Sequence, residues 1–215
     1  MTKEQIRNTI YRCALLYDKN LCNQQVLFVY HDANNHSSYA EVKFRAHNFL
    51  HFTGVLPVKL SANEFYRHAL NHKLGIKDFT LGNNKNVELK LQVLPSIMLI
   101  DHIARMIGEY TGPHIELYTK KVTGTTSACL GLIQKDNYFI PNSVLKEDIR
   151  TIVPKPPGKI FAIFKKKIHD TRYTQLTYKS KNLYITQKCL PKELIAQIEP
   201  SLLENPKLES KSKHM

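Results

Sequence analysis

The amino-acid sequence predicts an α+β fold: an N-terminal helix and short hairpin, central helices, then a four- to five-stranded antiparallel sheet and a C-terminal helix. Three observations carry that expectation. Apolar residues recur at helical spacing near the start, the pattern turns strand-like after Gly108, and 215 residues with 42% hydrophobic content suffice for one core.

In chain order, Ile6, Ile10, Ala14 and Tyr17 mark an amphipathic helix over residues 4–17. Gln25–Tyr30 and Tyr39–Phe44 read as strands joined through the turn signal Asn34-Asn35-His36. Ser61-Ala62-Asn63-Glu64 is a capping box that opens a helix to about Leu74. From Asn86 to Ile107, Leu89, Val93, Ile97, Ile100, Ala104 and Ile107 line one helical face, with Pro95 expected to kink or divide that helix. Ile115–Val122, Thr125–Gln134, Asn137–Ile140, Lys159–Ile168 and Tyr173–Ile185 then read as an antiparallel meander, followed by a helix over Pro191–Leu203. Residues 1–203 are expected to form a single domain and 204–215 a disordered tail.

Lys and Arg number 31 against 18 Asp and Glu, a formal net charge of +13 that favours polyanionic partners. The excess is segregated: residues 155–188 hold nine Lys or Arg and one acid, Asp170, whereas residues 101–150 are neutral. Cys13, Cys22, Cys129 and Cys189 show neither zinc spacing nor a disulfide framework, which fits a reducing, cytoplasmic setting. No apolar run reaches the length of a membrane span. Isolated glycines at 75, 82, 108, 112 and 124 give no phosphate-cradling loop, so nucleotide hydrolysis and dinucleotide redox chemistry have no support.

The most distinctive segment runs from Phe44 to Gly54, where Arg45, His47, Asn48, His51 and Thr53 interleave with large apolar residues. Half burial would present the polar groups to one cleft and suit His51 as a general acid or base, against a core histidine bonded to backbone as the plain alternative. His47/His51 and His68/His72 have the i, i+4 spacing of metal pairs but lack the glutamate of a zincin. Asp78 with Glu88-Leu89-Lys90 loosely fits a Mg²⁺-dependent nuclease, although acids at a helix start also serve its dipole. On the expected sheet, Lys159, Lys165 and Lys167 share strand parity, as do Tyr173, Gln175 and Thr177, a set able to stack bases and hold phosphates or else to guard an edge strand.

The segments Phe44–Val55, Asn63–Tyr66, Lys121–Gly131, Tyr138–Ser143, Asp148–Arg150 and Tyr173–Tyr178 follow one another in the order seen in the phage barnase/EndoU/colicin/RelE-like nucleases. The chain resembles that family over about residues 40–180, most specifically in the string N-F-x-H-x-T-G at Asn48–Gly54, with Phe52 where the family often has Leu. The resemblance implies helices before a four-stranded antiparallel sheet, and an RNase that needs neither metal nor cofactor and drives the ribose 2′-OH against the adjacent phosphate. It implicates Arg45, His51 and Thr53, with Ser143, Arg150, Tyr173 and Thr177 from the sheet region; taken with the charge pattern, His51, Arg45, Tyr173 and Thr177 are expected to carry catalysis and Lys43, Thr53, Lys121, Ser143, Arg150, Lys159, Lys165 and Lys167 to bind substrate. RNA, as tRNA or mRNA, is the expected partner, with an antitoxin or immunity protein as a protein partner in a toxin-like or host-takeover role. A catalytically inactive module that binds nucleic acid or a host protein is the alternative, and a Mg²⁺ nuclease through Asp78 and Glu88 a second.

Overall fold

The computed structural model describes residues 1–82, 84–111, 119–154 and 156–204. Helix α1 (Lys3–Asn20) begins at a Thr2/Gln5 capping box and buries Ile6, Ile10, Cys13, Ala14 and Tyr17, the face its spacing predicts. Strands β1 (Gln24–His31) and β2 (Ser37–Lys43) follow, then helix α2 (Asn48–Thr53), strand β3 (Val55–Pro57), helix α3 (Ala62–Leu70) and strand β4 (Phe79–Leu81). The Ser61/Glu64 capping box of α3 is present in both directions. Helix α4 (Asn84–Ile97) contains Pro95 and is not divided by it; the helix ends two residues beyond, and a turn at Met98-Leu99 leads into α5 (Ile100–Ile103).

The second half holds β5 (Met106–Glu109), β6 (Lys121–Gly124), β7 (Cys129–Lys135), β8 (Tyr138–Leu145), α6 (Ile149–Ile152), β9 (Gly158–Lys167), β10 (Gln175–Lys179) and α7 (Lys192–Ile195). The expected C-terminal helix over Pro191–Leu203 is only α7 and a separate 3₁₀ turn at Pro200–Leu202. Part of the expected strand Ile115–Val122, and nearly all of the expected disordered tail, lie outside the described residues.

The four- to five-stranded antiparallel sheet is not what forms. Seven strands close into a mixed barrel in the order β1-β2-β8-β7-β6-β5-β9, β9 pairing back onto β1, with β10 added along β9. One contact makes it mixed: β2 runs parallel to β8 at Val42↔Phe139. Local pattern cannot announce such a pairing, because it joins the N-terminal hairpin to the late meander. The clue lay in β1, whose six consecutive buried residues mark a strand covered on both faces, unlike an alternating solvent-facing hairpin. Seven α-helices are present among the described residues, and α1, α3 and α4 share one apolar core with strand residues such as Phe28, Val42, Leu130 and Ile163. A second core lies on the opposite face, where Leu27, Val29 and Phe164 meet Tyr173, Ile185, Leu194 and Ile198.

A β-bulge overturns the parity expected for β9. Val29 pairs with Ala162 but Tyr30 with Ile160, so Phe161 is an extra residue and alternation reverses across it. Lys159 and Lys165 therefore do not share a face. Lys159 and Lys167 are exposed, whereas Lys165 is buried and donates from Nζ to Asp101 Oδ2 at 2.7 Å and to the Asn20 carbonyl at 3.0 Å. Asp101 is fully buried, and its Oδ1 has no hydrogen-bond partner among the described residues. Attraction in this low-dielectric setting offsets desolvation only while both charges remain.

Lys165→Met is accordingly expected to destabilise the protein by about 3–5 kcal/mol in urea denaturation, because it strands a buried carboxylate. Lys165→Met with Asp101→Leu should recover most of that loss.

Candidate active site

The Phe44–Gly54 segment is held from inside by aromatic packing. Phe44, Phe49 and Phe52 are fully buried, and the Tyr17 ring centre lies 5.4 Å from that of Phe49 and 5.7 Å from those of Phe52 and Tyr66. The Tyr17 hydroxyl donates to the Arg45 carbonyl at 2.9 Å, so the same ring fixes the backbone where β2 turns into α2. Asn48 Oδ1 accepts from the Arg45 N–H at 2.8 Å. At the other end, Thr53 Oγ1 donates to the Leu50 carbonyl at 2.8 Å and accepts from the Val55 N–H at 3.3 Å. Gly54 ends the helix in the left-handed region at φ 72°.

Asn48, Thr53 and Gly54 thus have structural work. The His51 side chain has none: it is exposed and makes no hydrogen bond among the described residues. Lys90 of α4 passes close over Gly54, where an added Cβ would stand 2.9 Å from Lys90 Cδ, and its ammonium donates to the His51 carbonyl at 3.4 Å. Burial pushes the Lys90 pKa down. The His51 pKa is also lowered from 6.5, first because surrounding protein strips hydration from the charged ring, then because His47 and Lys90 bring like charge. His47 precedes His51 by four helical positions, so the two project from the same side of α2. Arg45 is exposed, and its guanidinium has no partner among the described residues.

The other expected residues do not gather here. Tyr173 is fully buried in the second core, where its hydroxyl donates to Glu41 Oε1 at 2.7 Å and accepts from Gln25 Nε2 at 3.0 Å; burial and Glu41 push its pKa far up, away from proton-donating use. Lys166 lies over the Tyr173 ring at 4.6 Å and Lys43 over the Tyr138 ring at 3.9 Å. Thr177 donates to the carbonyls of Asp101 and Ile163, beside the Lys165 ion pair. Thr53 is buried, Ser143 is buried with a hydroxyl that has no partner among the described residues, Lys121 pairs with Glu109, and Arg150 pairs with Asp148.

Asp78 accepts from the Gly75 N–H at 2.7 Å and Glu88 binds the Met1 amine, so each carboxylate has its own local partner. Among the described residues no three His, Cys, Asp or Glu side chains gather as a metal site, and no helix is long and apolar enough to cross a membrane. Lys90 was visible in the sequence only as part of an acidic metal pattern, and its true neighbour is His51. Glu41 and Gln25 carried no signal, since their bonds to Tyr173 span 132 and 148 residues.

His47, His51 and Lys90 thus lie at α2, with Arg45 just before it in the chain, groups of the kinds that can exchange protons with a phosphate ester and place positive charge on it. The chain matches the phage-Barnase-EndoU-ColicinE5/D-RelE like nuclease4 family over residues 9–182, and it belongs to that nuclease family. No curated protein and no solved structure matches it.

Gly54→Ala forces a side chain into the left-handed region, an expected loss of roughly 1–2 kcal/mol in thermal or urea unfolding. Lys90 must also shift aside, so the His51 titration followed by NMR should move with it.

Proposed function

We propose that the protein is a metal-independent endoribonuclease in which His51 is the general base. The observation that carries this reading is the state of the His51 ring: it is exposed, makes no hydrogen bond among the described residues, and has its pKa lowered by desolvation and then by the like charge of His47 and Lys90, which favours the neutral, proton-accepting form. His51 takes the proton of the ribose 2′-OH as that oxygen attacks phosphorus. His47, in its charged form, gives a proton to the departing 5′-oxygen, leaving a 2′,3′-cyclic phosphate and a 5′-hydroxyl. Charge on His47 disfavours a proton on His51, which suits a mechanism that needs His51 as the base. Arg45 and Lys90 supply positive charge to the phosphorane, the first as a planar fork and the second as a point charge.

RNA as substrate, action inside a cell and a toxin-like or host-takeover role belong to this proposal. A second reading, a binding module without turnover, has one observation in its favour: Tyr173 and Thr177 are committed to internal hydrogen bonds and are not available to substrate.

Total RNA incubated with the protein in EDTA should yield fragments with cyclic phosphate ends, and His51→Ala should slow this by about 10²–10⁴-fold. Salt-sensitive RNA binding without cleavage by the wild type would select the second reading. The acidic limb of the rate profile should lie below pH 6.5, because a lowered pKa keeps the ring neutral to lower pH. Lys90→Met should move that limb upward by removing a like charge; a limb that stays put would deny Lys90 this part.

A further inference from the structure

Around α6 the chain forms a cleft of about 430 Å³ lined by Asp148, Arg150, Thr151, Pro156 and Pro157. Asp148 caps α6 by accepting from the Arg150 N–H at 2.9 Å, and the Arg150 side chain folds back onto the same carboxylate. Nε lies 3.0 Å from both carboxylate oxygens and Nη2 lies 2.6 Å from Oδ2. This fork fixes the plane of the guanidinium although the side chain is 58% exposed.

A guanidinium has five N–H donors, and the fork engages Nε and one proton of Nη2. Nη1 has no hydrogen-bond partner among the described residues, so Nη1 and the second Nη2 proton form a two-donor edge pointing away from Asp148. Asp148 cancels the arginine's charge, which removes most of the attraction for a bare phosphate. What the edge still matches is a neutral group with two adjacent acceptors. Pro156 and Pro157 add rigid apolar rings that carry no backbone donor, a surface suited to the face of a flat heterocycle.

We propose that this cleft is a nucleobase subsite that takes an unstacked base of a single-stranded nucleic acid through two neighbouring acceptors, as guanine (O6, N7) and cytosine (O2, N3) present and adenine and uracil do not. The polymer as ligand rests on the nuclease reading; the base preference rests on the cleft alone. Arginine is required here and lysine does not substitute, since an ammonium has no planar pair of donors.

The test is titration of the full chain with GMP, CMP, AMP, UMP and inorganic phosphate, followed by calorimetry for wild type and variant and, in the wild type, also at the Arg150 side-chain N–H by NMR. GMP and CMP are expected to bind about tenfold more tightly than AMP and UMP. Arg150→Lys should erase that preference, and inorganic phosphate should leave the Arg150 signal unmoved. Equal binding of all four nucleotides, a preference that survives Arg150→Lys, or a response to phosphate alone would overturn the proposal. RNA cleavage in EDTA, measured on the same preparation, separates the two readings: cleavage without base preference removes the subsite and keeps the nuclease, and base preference without cleavage does the reverse.

Discussion

Strand β1 is hydrogen-bonded along both edges, to β2 on one side and to β9 on the other, and this double pairing converts a meander into a closed ring. Its residues serve two cores at once, Val26 and Phe28 facing the helices, Leu27 and Val29 facing the C-terminal segment. Closure gives each barrel strand a neighbour on both sides, although β2 meets β8 only through Val42↔Phe139. It also sets where β2 ends, and from that end α2 and its histidines are suspended against the Tyr17 ring.

The polar groups of the molecule have been sorted by burial into two kinds. Lys165 with Asp101, and Tyr173 with Glu41 and Gln25, are internal polar contacts in which removal of one member leaves its partner stranded. The histidines of α2, with Arg45, remain outward. Lys90 lies between the two kinds: its stem packs over Gly54 while its ammonium reaches the end of α2. The His51 pKa is lowered first by desolvation and then by the like charge of His47 and Lys90, both of which favour its neutral form.

Much of the helical part was legible in the sequence, because helix signals are local: the Ser61/Glu64 capping box and the Ile6–Tyr17 face need only neighbours a few residues away. The barrel was not, since its closing contacts join residues such as Val29 and Ala162. The Asn48–Gly54 string singled out one segment, yet a motif cannot say which of its polar residues cap backbone and which face outward. For Asn48 and Thr53 that decision rests on carbonyl and amide groups the string does not name. The single extra residue Phe161 misplaced a whole row of lysines, since period-2 reasoning fails beyond any bulge.

That bulge also reshapes how the molecule meets an electrolyte. Of the cations concentrated between residues 155 and 188, Lys165 and Lys166 are buried, and Arg172 and Lys179 face Glu199 and Glu204. A polyanion bound to this stretch displaces condensed counterions only where a free cation replaces them, so the slope of log K against log salt reports exposed residues with no ion-pair partner among the described residues, such as Lys159, Lys167, Lys181 and Lys188. The formal charge of the chain therefore overstates its ionic footprint, and the shortfall is a measure of how much charge the fold has turned inward.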